Sequence, residues 1–167
     1  TKKGVITFER DITTIRNSAF VGNGSFYLET VSLPDGIESF GTSVFSQKGY
    51  LTAVNLPKKL QSIPDWTFLK CVKLADIKIP ASVKSIGYQA FYACTSIDTI
   101  TLPAGLQSIG ASAFYGCSSL TSIYCESQVP PTGSDYMFAG HASGRKIYVP
   151  SGSAEAYKKA HSGTECA

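Results

Sequence analysis

Residues 97–119 read IDTITLPAGLQSIGASAFYGCSS, with Ile97, Ile100, Leu102, Leu106, Ile109, Ala113, Phe114 and Cys117 at its apolar and small places. The same series stands 23 residues earlier as Leu74, Ile77, Ile79, Val83, Ile86, Ala90, Phe91 and Cys94. One more step back it reads Leu51, Val54, Leu56, Leu60, Ile63, Thr67, Phe68 and Cys71. A constant period of about 20 to 50 residues is the signature of a solenoid in which each repeat forms one coil.

Outward from these three coils the frame persists. A second coil runs through Leu28, Val31, Leu33, Ile37, Phe40, Val44 and Phe45, with Lys48 where the later coils carry cysteine. Before it, residues 1–27 read as a less regular first coil, with a strand expected at Val5-Ile6-Thr7-Phe8 and Ile12, Ile15, Ala19 and Phe20 in the later apolar places. Two extra residues fall within the glycine-containing stretch Val21–Ser25, a loop insertion. Past Ser119 a sixth coil starts at Leu120, Ile123 and Cys125, loses the pattern at Val129-Pro130-Pro131, and brings Met137 and Phe138 near the phenylalanine place. Lys146-Ile147-Tyr148-Val149-Pro150 then restores the strand-plus-proline form one residue late.

Within a coil, Leu-x-x-Ile-x-Leu-Pro predicts a short strand, and Val/Leu-x-x-Ile predicts a second extended piece on another side. Gly-x-x-Ala-Phe-x-x-Cys predicts a turn containing one helical or 3₁₀ turn. Pro34, Pro57, Pro80 and Pro103 recur where the chain must leave the sheet, because proline cannot continue strand pairing. Ser153, followed by Glu155 and by Lys158 and Lys159, predicts an N-capped helix that closes the open end of the stack. The expected fold is therefore a mainly β, right-handed α/β solenoid with repeats of about 23 residues, short parallel strands on one face and a C-terminal capping helix. It forms one domain over residues 1–167, with repeats over 28–142 and the cap over 143–167.

Composition narrows the functional classes. Charged residues make up 16% of the chain, below the ~25% common in globular domains, and serine, threonine and glycine take up the polar turns instead. The net charge is only +3, and the lysines between Lys58 and Lys84 scatter around the coil, so no nucleic-acid groove is expected. No run of about 18 apolar residues is present, so no membrane-spanning helix is expected. The chain begins at Thr1 with no signal-peptide core, and reads as a processed protein or an excerpt of a longer one.

The segments LPAGLQSIGASAFYGCSSLTSI (102–123) and IPASVKSIGYQAFYACTSIDTI (79–100) resemble the BspA-type leucine-rich repeat of bacterial surface proteins. That family recurs as I-P-x-x-V-x-x-I-G-x-x-A-F-x-x-C-x-x-L-x-x-I. The resemblance covers residues 5–149, and KIYVPSGSAEAYKKA (146–160) resembles the family's terminal cap. Lys48, Phe40 and Pro64 depart from the pattern, as does the absence of a tryptophan after the cap helix. The resemblance implies a bacterial cell-surface or secreted protein that binds a protein or glycan, with no catalytic residues.

The reactive side chains point the same way. Cys71, Cys94 and Cys117 recur once per coil, which is not a zinc spacing, and follow the core Ala-Phe, so they read as small buried side chains. Cys125 and Cys166 are irregular, and a bridge between them is an alternative to two free thiols. His141 and His161 lie near no acid or nucleophile motif, and Asp76 and Asp98 occupy adjacent columns, which reads as solvated acids rather than an acid–base pair. No catalytic site, metal or cofactor is expected. Tyr92 and Tyr115 share an outer position and read as a structural stack.

The strand face is the expected ligand surface, with candidate residues Asn55, Asp76, Lys78, Asp98, Thr99, Thr101 and Tyr124. Tyr124 is the single large aromatic in its columns and the best anchor. The protein is expected to act as a monomer. The alternative is a spacer that displays a neighbouring domain and binds nothing itself, favoured by the scarcity of Trp, Tyr and Arg on that face.

Overall fold

The computed structural model describes residues 12–21, 27–134, 136–140 and 143–161. The strand expected at Val5–Phe8, the residues Gly22–Ser25 of the expected loop, His141, Cys166 and the side chain of His161 lie outside the described residues.

Short strands follow one another along the chain. They are β1 (Thr14–Ile15), β2 (Thr30–Ser32), β3 (Ser39–Phe40), β4 (Ala53–Asn55), β5 (Ser62–Ile63) and β6 (Asp76–Ile77). Then come β7 (Ser85–Ile86), β8 (Thr99–Leu102), β9 (Ser108–Ile109), β10 (Ser122–Cys125), β11 (Thr132–Gly133) and β12 (Lys146–Tyr148). A single helix, α1 (Ala154–His161), ends the described chain. All strand pairs are parallel and join neighbouring coils. The even-numbered strands form the strand face, in the orders β2-β4-β6 and β8-β10-β12. The odd-numbered ones, β1-β3 and β5-β7-β9-β11, make a second ladder from the second extended piece. Strands thus line two sides of the coil. Ile123 pairs with Ile147, 24 residues on, so the late sixth coil is back in register by β12.

Proline stands at the corner between the two ladders. The carbonyls of Pro34, Pro57, Pro80 and Pro103 accept the N–H of Ile37, Leu60, Val83 and Leu106, turning the chain from one wall to the next. Pro150 makes the same turn toward Ser153 at the head of α1. The Ser153 carbonyl accepts the first helical N–H, from Tyr157, as expected of a cap. Its hydroxyl differs from the sequence expectation, because it donates to the Pro150 carbonyl at 2.7 Å instead of accepting from the helix.

The third side, at Ala-Phe-x-x-Cys, contains no helical turn, contrary to the sequence expectation. Each coil instead carries residues with φ near +55°, among them Ser43 and Gln47, Trp66 and Lys70, and Gln89 and Ala93. Left-handed conformation costs an L-residue about 1–2 kcal/mol. The compensation is visible in the hydrogen bonds: the amides of Trp66, Phe68 and Lys70 donate to the carbonyls of Tyr88, Ala90 and Tyr92 at 2.7–3.0 Å, and the neighbouring coils repeat the pattern. A regular helical turn would direct these amides along its own axis. The left-handed residues turn them toward the next coil.

Inside, one phenylalanine per coil stacks on the next. Phe20, Phe45, Phe68, Phe91, Phe114 and Phe138 form a row with centroids 5.0–5.4 Å apart and ring planes within 17°. Each such pair contributes about 0.5–1.5 kcal/mol beyond its area burial. The row ends at Arg145, whose guanidinium lies 5.2 Å from the Phe138 ring and donates to the Phe138 carbonyl at 2.8 Å. Beside it, Tyr157 of α1 is buried and donates to the Ser127 carbonyl at 2.8 Å, docking the helix on the last coil.

A second internal row explains the cysteines. Cys71, Cys94 and Cys117 are free and fully buried. Each thiol donates to the carbonyl of a phenylalanine in the preceding coil, Phe45, Phe68 and Phe91, at 3.1–3.2 Å. Burial pushes Cys71 and Cys117 up to about 12 and Cys94 well above its ordinary value. Cys125 is likewise free and buried, and burial pushes it up to about 11.

Two outcomes follow from this packing. Phe91→Ala should lower stability by about 3–5 kcal/mol in chemical denaturation, because it opens a void between two stacked rings. Thr99→Ala on the exposed sheet face should stay within about 0.5 kcal/mol. The thiols should label slowly with maleimide under native conditions. They also set an alkaline limit. Their folded pKa values stand above the ordinary value of 9.0, so the stability tied to their neutral form is complete below that pH. It is lost as pH rises from there toward about 12. Cys94→Ala should flatten the fall in denaturation midpoint above pH 9; an unchanged slope would show that the buried thiols do not cause it.

Candidate functional site

The even-numbered strands present their inward residues Val54, Ile77, Ile100 and Ile123 to the core, so by alternation the flanking side chains face solvent. Asn55, Asp76, Lys78, Asp98, Thr99, Thr101 and Tyr124 are all exposed on this side. The structure brings five of them together. Asp76, Lys78, Asp98, Thr99 and Thr101 line one groove of about 460 Å³, over the side chains of Ile77 and Ile79. Asn55 lies outside that lining, one coil toward the N-terminus; Tyr124 lies outside it on the other side, where β10 pairs Tyr124 with Thr101.

The groove has a structural cause. At the other junctions of the strand face, an amide of the later coil donates to a fixed carbonyl of the earlier one. Thr52 donates to Glu29, Ala75 to Thr52, Thr121 to Asp98 and Lys146 to Thr121, at 2.7–3.0 Å. No such bond joins Asp98 or Thr99 to Ala75, and β6 and β8 are not paired. The columns of side chains expected to run unbroken along the face are therefore interrupted here. At the same column Thr52 and Thr121 also donate their hydroxyls to the preceding carbonyl, at 2.9 and 3.4 Å. Asp98 puts in that column a carboxylate, which when ionised can only accept. Beyond the sheet, Ile79 is half-buried where its counterparts Leu56 and Leu102 are buried, so an apolar side chain reaches the groove floor.

Beside the groove stands an aromatic pair that sequence reasoning missed. Tyr148 stacks on Tyr124 with centroids 4.6 Å apart and planes within 9°, both rings 43% exposed. The signal was the column itself continued by 24 instead of 23 residues; the single inserted residue moved Tyr148 out of the strict frame.

Tyr27 and Tyr50, both exposed, meet edge-on at 4.7 Å just before Leu28 and Leu51, and the outer wall carries further aromatics. Tyr92 and Tyr115 stack at 5.2 Å, as expected of a structural pair. Trp66, the sole tryptophan, meets Tyr88 edge-on at 5.8 Å and donates its ring N–H to Gln89 at 3.2 Å, so its polar handle is already used within the wall. Sequence reasoning passed over Trp66, because neighbouring coils carry small or polar residues in its column.

Chemically, the groove holds two carboxylates, an ammonium and two hydroxyls, and no ion pair joins Asp76, Lys78 or Asp98 to another described residue. Such a set can hydrogen-bond or pair with polar or charged groups. Among the described residues no cluster of His, Cys, Asp and Glu could hold a metal ion. Among them, too, no helix is long and apolar enough to cross a membrane.

Comparison with known proteins agrees with this architecture. A leucine-rich repeat protein from Bacteroides ovatus ATCC 8483 superposes with a TM-score of 0.65 at 27% identity, over 80% of this chain and 41% of its own. A leucine rich cell surface protein from Faecalibacterium prausnitzii A2-165 gives 0.65 at 25% identity, over 83% of this chain and 43% of its own. The T. pallidum leucine rich repeat protein shares the fold, with a TM-score of 0.66 at 24% identity, over 89% of this chain and 77% of its own. The chain spans less than half the length of the first two. No curated protein sequence matches it. The profile of the BspA type leucine rich repeat region matches residues 3–97 and 38–166 in six copies. With a parallel coil stack built on that repeat across nearly all of its length, the chain belongs to the BspA-type leucine-rich-repeat family.

Proposed function

We propose that the protein is a non-enzymatic binding module of a bacterial cell surface or secreted protein, which recognises a protein or glycan through its strand face and acts as a monomer. The observation that carries this reading is the groove between β6 and β8, where five of the seven candidate residues meet beside the Tyr124–Tyr148 pair. Polar groups without ion-pair partners supply specificity there, and two stacked tyrosines supply contact area at low entropic cost. A surface location is supported by the likeness to the F. prausnitzii cell surface protein. The outer wall fits binding less well, since the Trp66 ring N–H is already given to Gln89 and Tyr92 is half-buried.

Spacer and binder are separated by one experiment. Immobilised glycans and extracellular-matrix proteins are screened, and variants are tested against whichever binds. Tyr124→Ala combined with Tyr148→Ala should weaken binding by about tenfold or more, the loss expected for removing an anchor residue. Tyr92→Ala and Tyr115→Ala should leave it intact. Retained binding in the strand-face variant, folded by circular dichroism, together with loss in the outer-wall variants, would move the site to the outer wall. No binding across the screen would favour the spacer.

A further inference from the structure

The split between β6 and β8 leaves backbone groups as well as side chains at the groove. The Ala75 carbonyl and the amides of Asp98 and Thr99 make no bond across their junction, whereas the carbonyls of Glu29, Thr52, Asp98 and Thr121 each accept at least one amide of the next coil. The opening is local. On the outer wall of the same two coils, Phe91 bonds to Ala113 and Ala93 to Tyr115 at 2.7 Å. On the second ladder β7 pairs with β9, and the Thr95 and Ser96 hydroxyls bond the Val72 carbonyl just before the split. The result is a slit between two otherwise bonded coils, with strand backbone along both walls.

Resting on the strand-face reading, we propose that this slit is a docking slot for the main chain of an extended peptide bearing a basic residue. Unsatisfied backbone donors and acceptors along strand walls are matched by another extended main chain, the mode by which peptides add to open sheet edges. A sugar carries hydroxyls but no amide repeat. The rim adds charge complementarity, because Asp76 and Asp98 outnumber Lys78 around the opening. The column also offers a switch: Asp98→Thr supplies the hydroxyl donor that Thr52 and Thr121 use, and should close the slit.

Amide hydrogen exchange on the whole chain, followed by NMR, tests this with three probes. They are a capped synthetic peptide of alternating threonine and lysine, the same peptide N-methylated at alternate residues, and a neutral oligosaccharide. In the free protein the Asp98 and Thr99 amides should exchange about tenfold or more faster than those of Thr121 and Ser122. The unmodified peptide should slow them, while the N-methylated peptide and the oligosaccharide should not. Asp98→Thr should slow them without peptide and abolish peptide binding. Slow exchange at Asp98 and Thr99 in the free protein, equal binding of the N-methylated peptide, protection by the oligosaccharide instead, or no binding at millimolar peptide would each overturn the slot. Peptide contacts confined to Tyr124 and Tyr148 would overturn the slot and leave the strand-face reading standing. Contacts confined to Tyr92 and Tyr115 would overturn both.

Discussion

One coil of this chain cannot bury its own phenylalanine; the ring is covered only when the next coil lays another on top. The row from Phe20 to Phe138 has a repeat of 5.0–5.4 Å, close to the spacing of about 4.8 Å between neighbouring β-strands. Ring stacking and strand pairing therefore ask for the same pitch, and every other column follows. Thiols sit one coil from the carbonyls they bond, and isoleucines pair with isoleucines along both ladders. The same dependence makes the ends of the stack a problem. Arg145 meets it at the C-terminal end by laying a planar cation where the next ring would be, and α1 covers the rest with Tyr157.

Hydrogen bonding joins the coils in two opposite senses. At the strand-face corner the later coil donates to the earlier, as from Thr52 to Glu29. On the outer wall the earlier coil donates to the later, as from Phe45 to Thr67. The outer wall achieves this with left-handed residues that are not glycine, Trp66 among them, so conformational strain is spread along the wall and offset bond by bond. Against that regularity the open junction at Ala75 and Asp98 is local.

The distribution of side chains around the coil separates structural aromatics from available ones. Phe rings fill the interior, and Trp66, Tyr88, Tyr92 and Tyr115 brace the outer wall against itself. Tyr124 and Tyr148 stack on each other, yet they stand on the sheet beside charged groups that have no ion-pair partner among the described residues. This chain spans under half the length of two of its structural neighbours. The architecture is thus a scaffold, and its strand face varies in the few columns where the repeat departs from itself.

The coil frame, the core columns, the proline corners and the cap helix were legible from residues alone, because a 23-residue period repeats the same burial demand in every coil. Which side the candidate residues occupy was legible too, since strand alternation dictates it. What only the tertiary structure decided lies between coils. The left-handed outer wall replaced the expected helical turn because alternate amides, such as those of Trp66, Phe68 and Lys70, bond carbonyls of the next coil. The Tyr124–Tyr148 pair was hidden by one inserted residue that pairing then absorbed. The groove lies where Asp98 and Ala75, 23 positions apart, do not bond across the coils. A period says which residues share a column; whether two neighbours in that column bond or repel is settled only when the coils are laid against each other.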